Sequence, residues 1–132
     1  MRVLVTGGTG YIGSTAVEIL LTQGFDISIL DDCSMGHADT VPAGVRFIQG
    51  SLLNVDEVAD ALKGCDAVMH FAGKSLVGES VEKPDLYHLV NVDGTGILLD
   101  QMRKQAITKI VFSSSAATYG EPKVVPILET SE

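Results

Sequence analysis

"TGGTGYIG", residues Thr6 to Gly13, follows a short apolar β-rich run, "RVLVT" (2–6), and leads into a segment whose Ile12, Ala16, Ile19 and Leu20 fall on one helical stripe up to Gln23. Gly8-x-Gly10-x-x-Gly13 satisfies a dinucleotide-binding fingerprint, and Gly7, Gly10 and Gly13 form an overlapping Gly-x-x-Gly-x-x-Gly. Between a strand and a helix, one glycine permits a sharp turn and another lets the main chain approach a pyrophosphate. The last lets the helix pack against the strand. The helix N-terminus then offers the phosphates free N–H groups and a partial positive charge. The alternative is a tight turn that binds nothing.

Gly24 suits the helix stop, and "DISIL" (26–30) reads as a second strand ending at Asp31–Asp32. Asp31 stands 18 residues beyond Gly13, where an acid accepts hydrogen bonds from an adenine ribose. A carboxylate there repels a 2′-phosphate, which predicts NAD rather than NADP. The alternative is a solvated acid at a strand end, the reading given to Asp32.

Working outward, strand and helix signals alternate to the end. A polar loop over 33–44 precedes a third strand, "VRFIQ" (45–49). Asn54-x-x-Glu57 resembles a capping box and opens a helix with Val55, Val58 and Leu62 on one side, closed by Gly64. "DAVMHF" (66–71) is a fourth strand, Pro84 starts a long helix to about Gln105, and "KIVFSS" (109–114) is a fifth strand. Residues 116–132 read as irregular, with Pro122 and Pro126. Right-handed βαβ units of this kind predict an α/β fold, a Rossmann-type doubly wound parallel sheet of order 3-2-1-4-5. The nearly continuous apolar strands fit a sheet covered on both faces. The expected sheet is truncated after its fifth strand, where folds of this class usually continue. Residues 1–132 are therefore expected to form one incomplete NAD-binding domain, without a substrate domain.

The 132 residues carry 17 acids against 9 bases, a net charge of −8. That balance disfavours general binding of nucleic acid or anionic membrane, and leaves room for a local anion site built from main-chain N–H groups. Cys33 and Cys65 have no metal-ligand spacing and predict neither a metal site nor a disulfide framework, so a reducing cytoplasm is expected. No run is long enough to span a membrane.

"TGGTGYIG", "LDD", "FAGKSLVGES", "NVDGT" and "SSSAATYGEP" stand in that order. Together they resemble the extended short-chain dehydrogenase/reductase superfamily and, within it, the UDP-glucose 4-epimerase family, over the N-terminal part of such an enzyme. The resemblance implies a cytoplasmic, NAD-dependent isomerase of galactose and nucleotide-sugar metabolism, commonly a homodimer. It acts on a UDP-sugar by transient oxidation at sugar C4. It also implies cofactor contacts at Gly7, Gly10, Tyr11, Ile12 and Gly13, along Asp31, Asp32, Cys33, Ser34, Met35 and Gly36, and at Phe71, Ala72, Gly73, Lys74 or Ser75, and Asn91. Ser51, beside Leu52, stands where the family often has an Asp near the adenine. Ser115 matches the family's catalytic hydroxyl. The same motifs fit another nucleotide-sugar dehydratase or decarboxylase, or a non-catalytic NAD-binding module.

Catalysis in this superfamily also uses a Tyr-x-x-x-Lys pair on one helical face. Tyr119 and Lys123 have the spacing but enclose Gly120, Glu121 and Pro122, which oppose a helix. The pair is therefore expected to be absent from the 132 residues, and the chain alone to be inactive. The turn-capping role of a serine fits Ser113 and Ser114 better than Ser115. His70 is expected to be a hydrogen-bonded interior residue, and Cys33 a small buried or loop residue. Glu18, Asp56, Glu57 and Asp60 read as solvated helix faces. Gly94 and Gly96 signal either close packing or approach to the cofactor.

Overall fold

Successive side chains of residues 2–6 point to opposite faces of a sheet, and both faces are covered. The computed structural model describes residues 1–131. Its first half runs β1 (Arg2–Thr6), α1 (Tyr11–Thr22), β2 (Asp26–Asp31), β3 (Arg46–Gln49) and α2 (Val55–Ala61). It continues through β4 (Ala67–His70), α3 (Val77–Glu82), α4 (Pro84–His88), α5 (Gly94–Lys104) and β5 (Ile110–Phe112). All strand pairings are parallel, in the order β3-β2-β1-β4-β5. The architecture is the doubly wound one that the alternating pattern predicts.

Val3 and Val5 join Ile27, Ile29 and Val17 under α1. Leu4 joins Leu30 and Val68 on the other face, where Val58, Leu62, Leu98 and Met102 from the α2 and α5 side close the core. The α1 stripe is rotated from its expected phase. Gly13 and Val17 are its buried residues, whereas Ile12 and Ile19 are more than half exposed. The cause is local: Gly13 must face the turn that precedes the helix, which carries Val17 inward with it.

Asn54 caps α2 as expected, its Oδ1 accepting from the N–H groups of Asp56 (3.1 Å) and Glu57 (3.3 Å). The reciprocal half of the box is absent. The Glu57 carboxylate accepts instead from the Ser51 N–H at 2.7 Å, so Glu57 is not merely a solvated helix face. Asp60 is likewise engaged, pairing with Arg46 and Lys63, each at 2.8 Å.

The single helix expected from Pro84 is two α-helical pieces joined by a wide π turn over Leu89–Asp93. There the Thr95 hydroxyl donates to the Asn91 carbonyl at 2.7 Å, the acceptor that a regular ladder would give to the Thr95 N–H. α3 is a short helix that no sequence pattern announces. β5 is shorter than expected and keeps its apolar side chains half exposed, Val111 at 57% and Phe112 at 54%.

The rotated α1 stripe sets a stability contrast. Val17→Ala is expected to cost about 2 kcal/mol and Ile19→Ala less than about 0.5 kcal/mol in urea unfolding. The reverse ranking would restore the stripe read from sequence.

Candidate functional site

The turn after β1 is built by three close approaches. Gly7 has φ +71°, donates its N–H to the Leu30 carbonyl at 2.9 Å, and lies against the main chain of Phe71 and Ala72. A methyl group there would sit 2.6 Å from the Ala72 nitrogen. Gly13 rests on the Gly7 carbonyl with no room for any side chain. Gly10 is the N-cap of α1, and its N–H donates to the Gly7 carbonyl at 3.2 Å. No side chain caps the α1 N-terminus and its first turn holds no acid, so its main-chain donors and its dipole are uncompensated.

A cleft opens at the C-terminal ends of the strands, with Gly7 and Gly10 at its base. Asp31, Asp32, Ser34, Met35 and Gly36 line it after β2, and Gly50, Ser51 and Leu52 after β3. Phe71, Ala72, Gly73, Lys74 and Ser75 form the wall after β4. Other expected residues sit outside the lining. Tyr11 is 91% exposed on the outer first turn of α1, near the half-exposed Ile12, and Gly13 lies beneath the turn. The Cys33 thiol sits 3.8 Å from the Thr9 hydroxyl. Asn91 stands behind the wall, accepting from the Lys74 N–H at 2.8 Å and donating to the Lys74 carbonyl at 2.9 Å.

Asp31 is held from two sides. Its Oδ2 accepts from the Thr9 N–H and its Oδ1 from the Cys33 N–H, both at 2.9 Å. Each oxygen keeps a further lone pair for a hydroxyl donor. Asp32 is exposed and accepts from the Ser34 N–H at 2.8 Å, shaping the loop. The Ser51 Oγ accepts from the Leu53 N–H at 3.2 Å, which leaves its own proton for another acceptor.

Glu79, Tyr87, Leu76 and Val90 complete the cleft; Leu76 and Glu79 fall within "FAGKSLVGES" but were assigned no role, and Tyr87 and Val90 lie outside every motif. The Glu79 carboxylate lies 3.2 Å from the Lys83 ammonium and 4.0 Å from that of Lys74. The Lys83 hydrogen bond, then the Tyr87 hydroxyl, hold its carboxyl below the usual range. Tyr87 Oη accepts from the Leu76 N–H at 3.1 Å and lies 2.8 Å from the Leu76 carbonyl, pinning the start of α3. Thr9, which orients Asp31, also carried no separate signal in the sequence.

Ser115 follows β5 and is not among the residues lining the cleft. Its Oγ accepts from the Ala117 N–H at 3.2 Å, capping the tight turn Ala116–Tyr119, so the capping role expected of Ser113 and Ser114 falls to Ser115. Beyond Tyr119 the backbone is not helical, and Gly120 takes φ +64°. Tyr119 and Lys123 therefore do not share a helical face. Among the described residues, no cluster has metal-binding geometry and no helix is long and apolar enough to cross a membrane.

The profile of the NAD dependent epimerase/dehydratase family matches residues 3–132. The chain is 51% identical over 129 residues to the UDP-glucose 4-epimerase of Corynebacterium glutamicum, covering 98% of this chain and 39% of that protein. It is 44% identical over 133 residues to the UDP-glucose 4-epimerase of Streptomyces lividans, covering 98% and 40%. Among solved structures, the UDP-glucose 4-epimerase of Brucella ovis in complex with NAD superposes with a TM-score of 0.92 at 40% identity, covering 98% of this chain and 40% of that one. The chain thus spans about two fifths of the length of these relatives.

Behind the β4 wall, His70 is 3% exposed, and burial pushes its imidazole from 6.5 down to about 4. The unfolded chain takes up a proton there below about pH 6.5, and the folded chain only near pH 4. The contribution of neutral His70 to stability is therefore full above pH 6.5 and is lost as pH falls through that window. The difference in unfolding free energy between wild type and His70→Gln, read in urea at each pH, is expected to be constant above pH 6.5 and to shift against wild type on going to pH 4. A pH-independent difference would contradict a buried neutral imidazole.

Proposed function

The chain belongs to the NAD dependent epimerase/dehydratase family, and we propose that it is the N-terminal, NAD-binding part of a UDP-glucose 4-epimerase, which interconverts UDP-glucose and UDP-galactose. The supporting observation is the Asp31 carboxylate, fixed by Thr9 and Cys33 at the far end of a cleft whose base is the glycine turn. A dinucleotide fits these groups. The uncapped first turn of α1 matches a diphosphate. The α-carbon of Gly10 faces open space: a methyl group on it would meet only the Gly7 carbonyl within 4 Å, at 3.4 Å.

On this reading Asp31 accepts hydrogen bonds from the ribose hydroxyls and rejects a 2′-phosphate by charge repulsion. The main chain of the turn binds the diphosphate. Ser51 and Leu52 border the adenine end, and Lys74 supplies a positive charge in the wall. The chemistry that NAD supplies when bound is reversible hydride acceptance. Ser115 would polarise the sugar hydroxyl, in company with a helical Tyr-x-x-x-Lys pair that Tyr119 and Lys123, set in a non-helical segment, do not provide. The chain therefore binds cofactor without turning over UDP-sugars. The half-exposed apolar β5 supports self-association of the isolated chain; a homodimer for the whole enzyme rests on the family resemblance alone.

Parallel calorimetric titrations should give at least about tenfold tighter binding of NAD than of NADP, and Asp31→Ala should erase most of that preference. Equal affinities in the wild-type chain would overturn the assignment of Asp31. Epimerase turnover by the purified chain, free of contaminating enzyme, would refute the statement that it is inactive alone.

A further inference from the structure

His70 lies at the middle of a chain of hydrogen bonds whose proton directions can be counted. On one side, its Nδ1 is 2.6 Å from the Thr6 Oγ1, and Thr6 is completely buried. The only other hydrogen-bond partner of that hydroxyl among the described residues is the main-chain N–H of Ala72, a donor at 3.4 Å. The Thr6 proton therefore has one acceptor available, the Nδ1 lone pair. On the other side, the His70 Nε2 is 3.1 Å from the Thr95 Oγ1. The Thr95 hydroxyl spends its one proton on the Asn91 carbonyl at 2.7 Å, so it accepts from the ring. Both counts give the same neutral tautomer, with the proton on Nε2.

The two ends of this relay meet on one loop. Its donor end is the Ala72 N–H. Its acceptor end is Asn91, whose side chain grips the N–H and the carbonyl of Lys74. Ala72 and Lys74 belong to the wall of the cleft. His70 does not line that cleft, and the Phe112 ring packs beside it with centroids 5.3 Å apart. The relay also ties the π turn to β1 and β4, the two strands whose ends carry the glycine turn and the wall.

We infer that His70, as its Nε2–H tautomer, is a positioning residue that acts through Thr95 and Asn91 to hold the 72–74 wall against the glycine turn. This inference rests on the cofactor reading for its functional consequence and on hydrogen bonds alone for its structural one. Removing the Nε2–H donor frees the Thr95 hydroxyl to turn away from Asn91 and loosens the grip on Lys74. A cofactor seated against that wall is then bound more weakly.

Two measurements on the full 132-residue chain test this. Nitrogen-15 spectra of the histidine side chains at pH 7 should show His70 protonated at Nε2, and a ring protonated at Nδ1 would overturn the relay. Amide hydrogen exchange should show the Lys74 N–H about tenfold less protected in His70→Phe and in Thr95→Val, with the central-strand amide of Ile29 unchanged. His70→Gln places an amide donor near the Nε2 position and should keep most of the Lys74 protection. His70→Asn, which reaches only the Thr6 side, should not. Thr95→Val preserves volume and serves if His70→Phe does not fold. Unchanged Lys74 protection in Thr95→Val, or loss of protection spread equally over Ile29, would overturn the proposal. NAD affinity should fall in parallel, by about tenfold in Thr95→Val. A wild-type chain that binds no NAD would sink the cofactor reading while leaving the exchange result to decide the relay.

Discussion

The contact on which the molecule depends is main chain against main chain: the Gly7 carbonyl under Gly13, and the Gly7 α-carbon against the peptide of Ala72. Atoms this close leave no volume for side chains, so the first helix, the first strand and the segment after β4 are placed relative to one another within tenths of an ångström. The orientation of α1 follows, because the face bearing Gly13 must turn inward and Val17 goes with it. The cleft follows too, since its base and one wall are the two partners of this contact. Polar groups then refine what backbone proximity has set: Asp31 ties the loop after β2 to Thr9, and Asn91 ties the wall to the helical layer.

Much of this was legible in the chain. The sheet class and its two covering layers follow from apolar runs alternating with helical stripes, and the unbroken burial of Val3, Leu4 and Val5 fits a strand covered on both faces; that same continuity is why the register of β1 with its neighbours was not legible in the sequence. The glycine spacing and the distance to Asp31 located the cleft, because backbone geometry constrains both. Less legible were features that arise from contacts distant in sequence. Glu57 has a local reason to cap its own helix, yet the Ser51 amide claims it. Ile12 and Ile19 look like core residues until the glycine contact rotates them outward. The sequence assigned no role to Glu79 or Tyr87, although Glu79 lies within "FAGKSLVGES", since their role comes from two short helices meeting over the cleft.

Electrostatics divides between what the chain exposes and what it hides. The net charge of −8 is opposed to an anionic ligand over most of the surface. Near the cleft the balance is local: helix-end N–H groups and Lys74 offset Asp31, Asp32 and Glu79. Lys74 stands 4.0 Å from Glu79, which is also paired to Lys83, so its charge is only partly neutralised within the protein.

The π turn over Leu89–Asp93 has a consequence for how the sequence tolerates change in length. One surplus residue lets two helical segments keep different angular settings: Asn91 faces the loop, while Leu98 and Met102 face the sheet. Deleting a residue there would yield a smoother cylinder and a mismatched one, since each residue accounts for roughly 100° of rotation. The irregularity works as a phase adjuster, and single-residue gaps should be tolerated in the exposed 37–40 stretch long before they are tolerated in this winding.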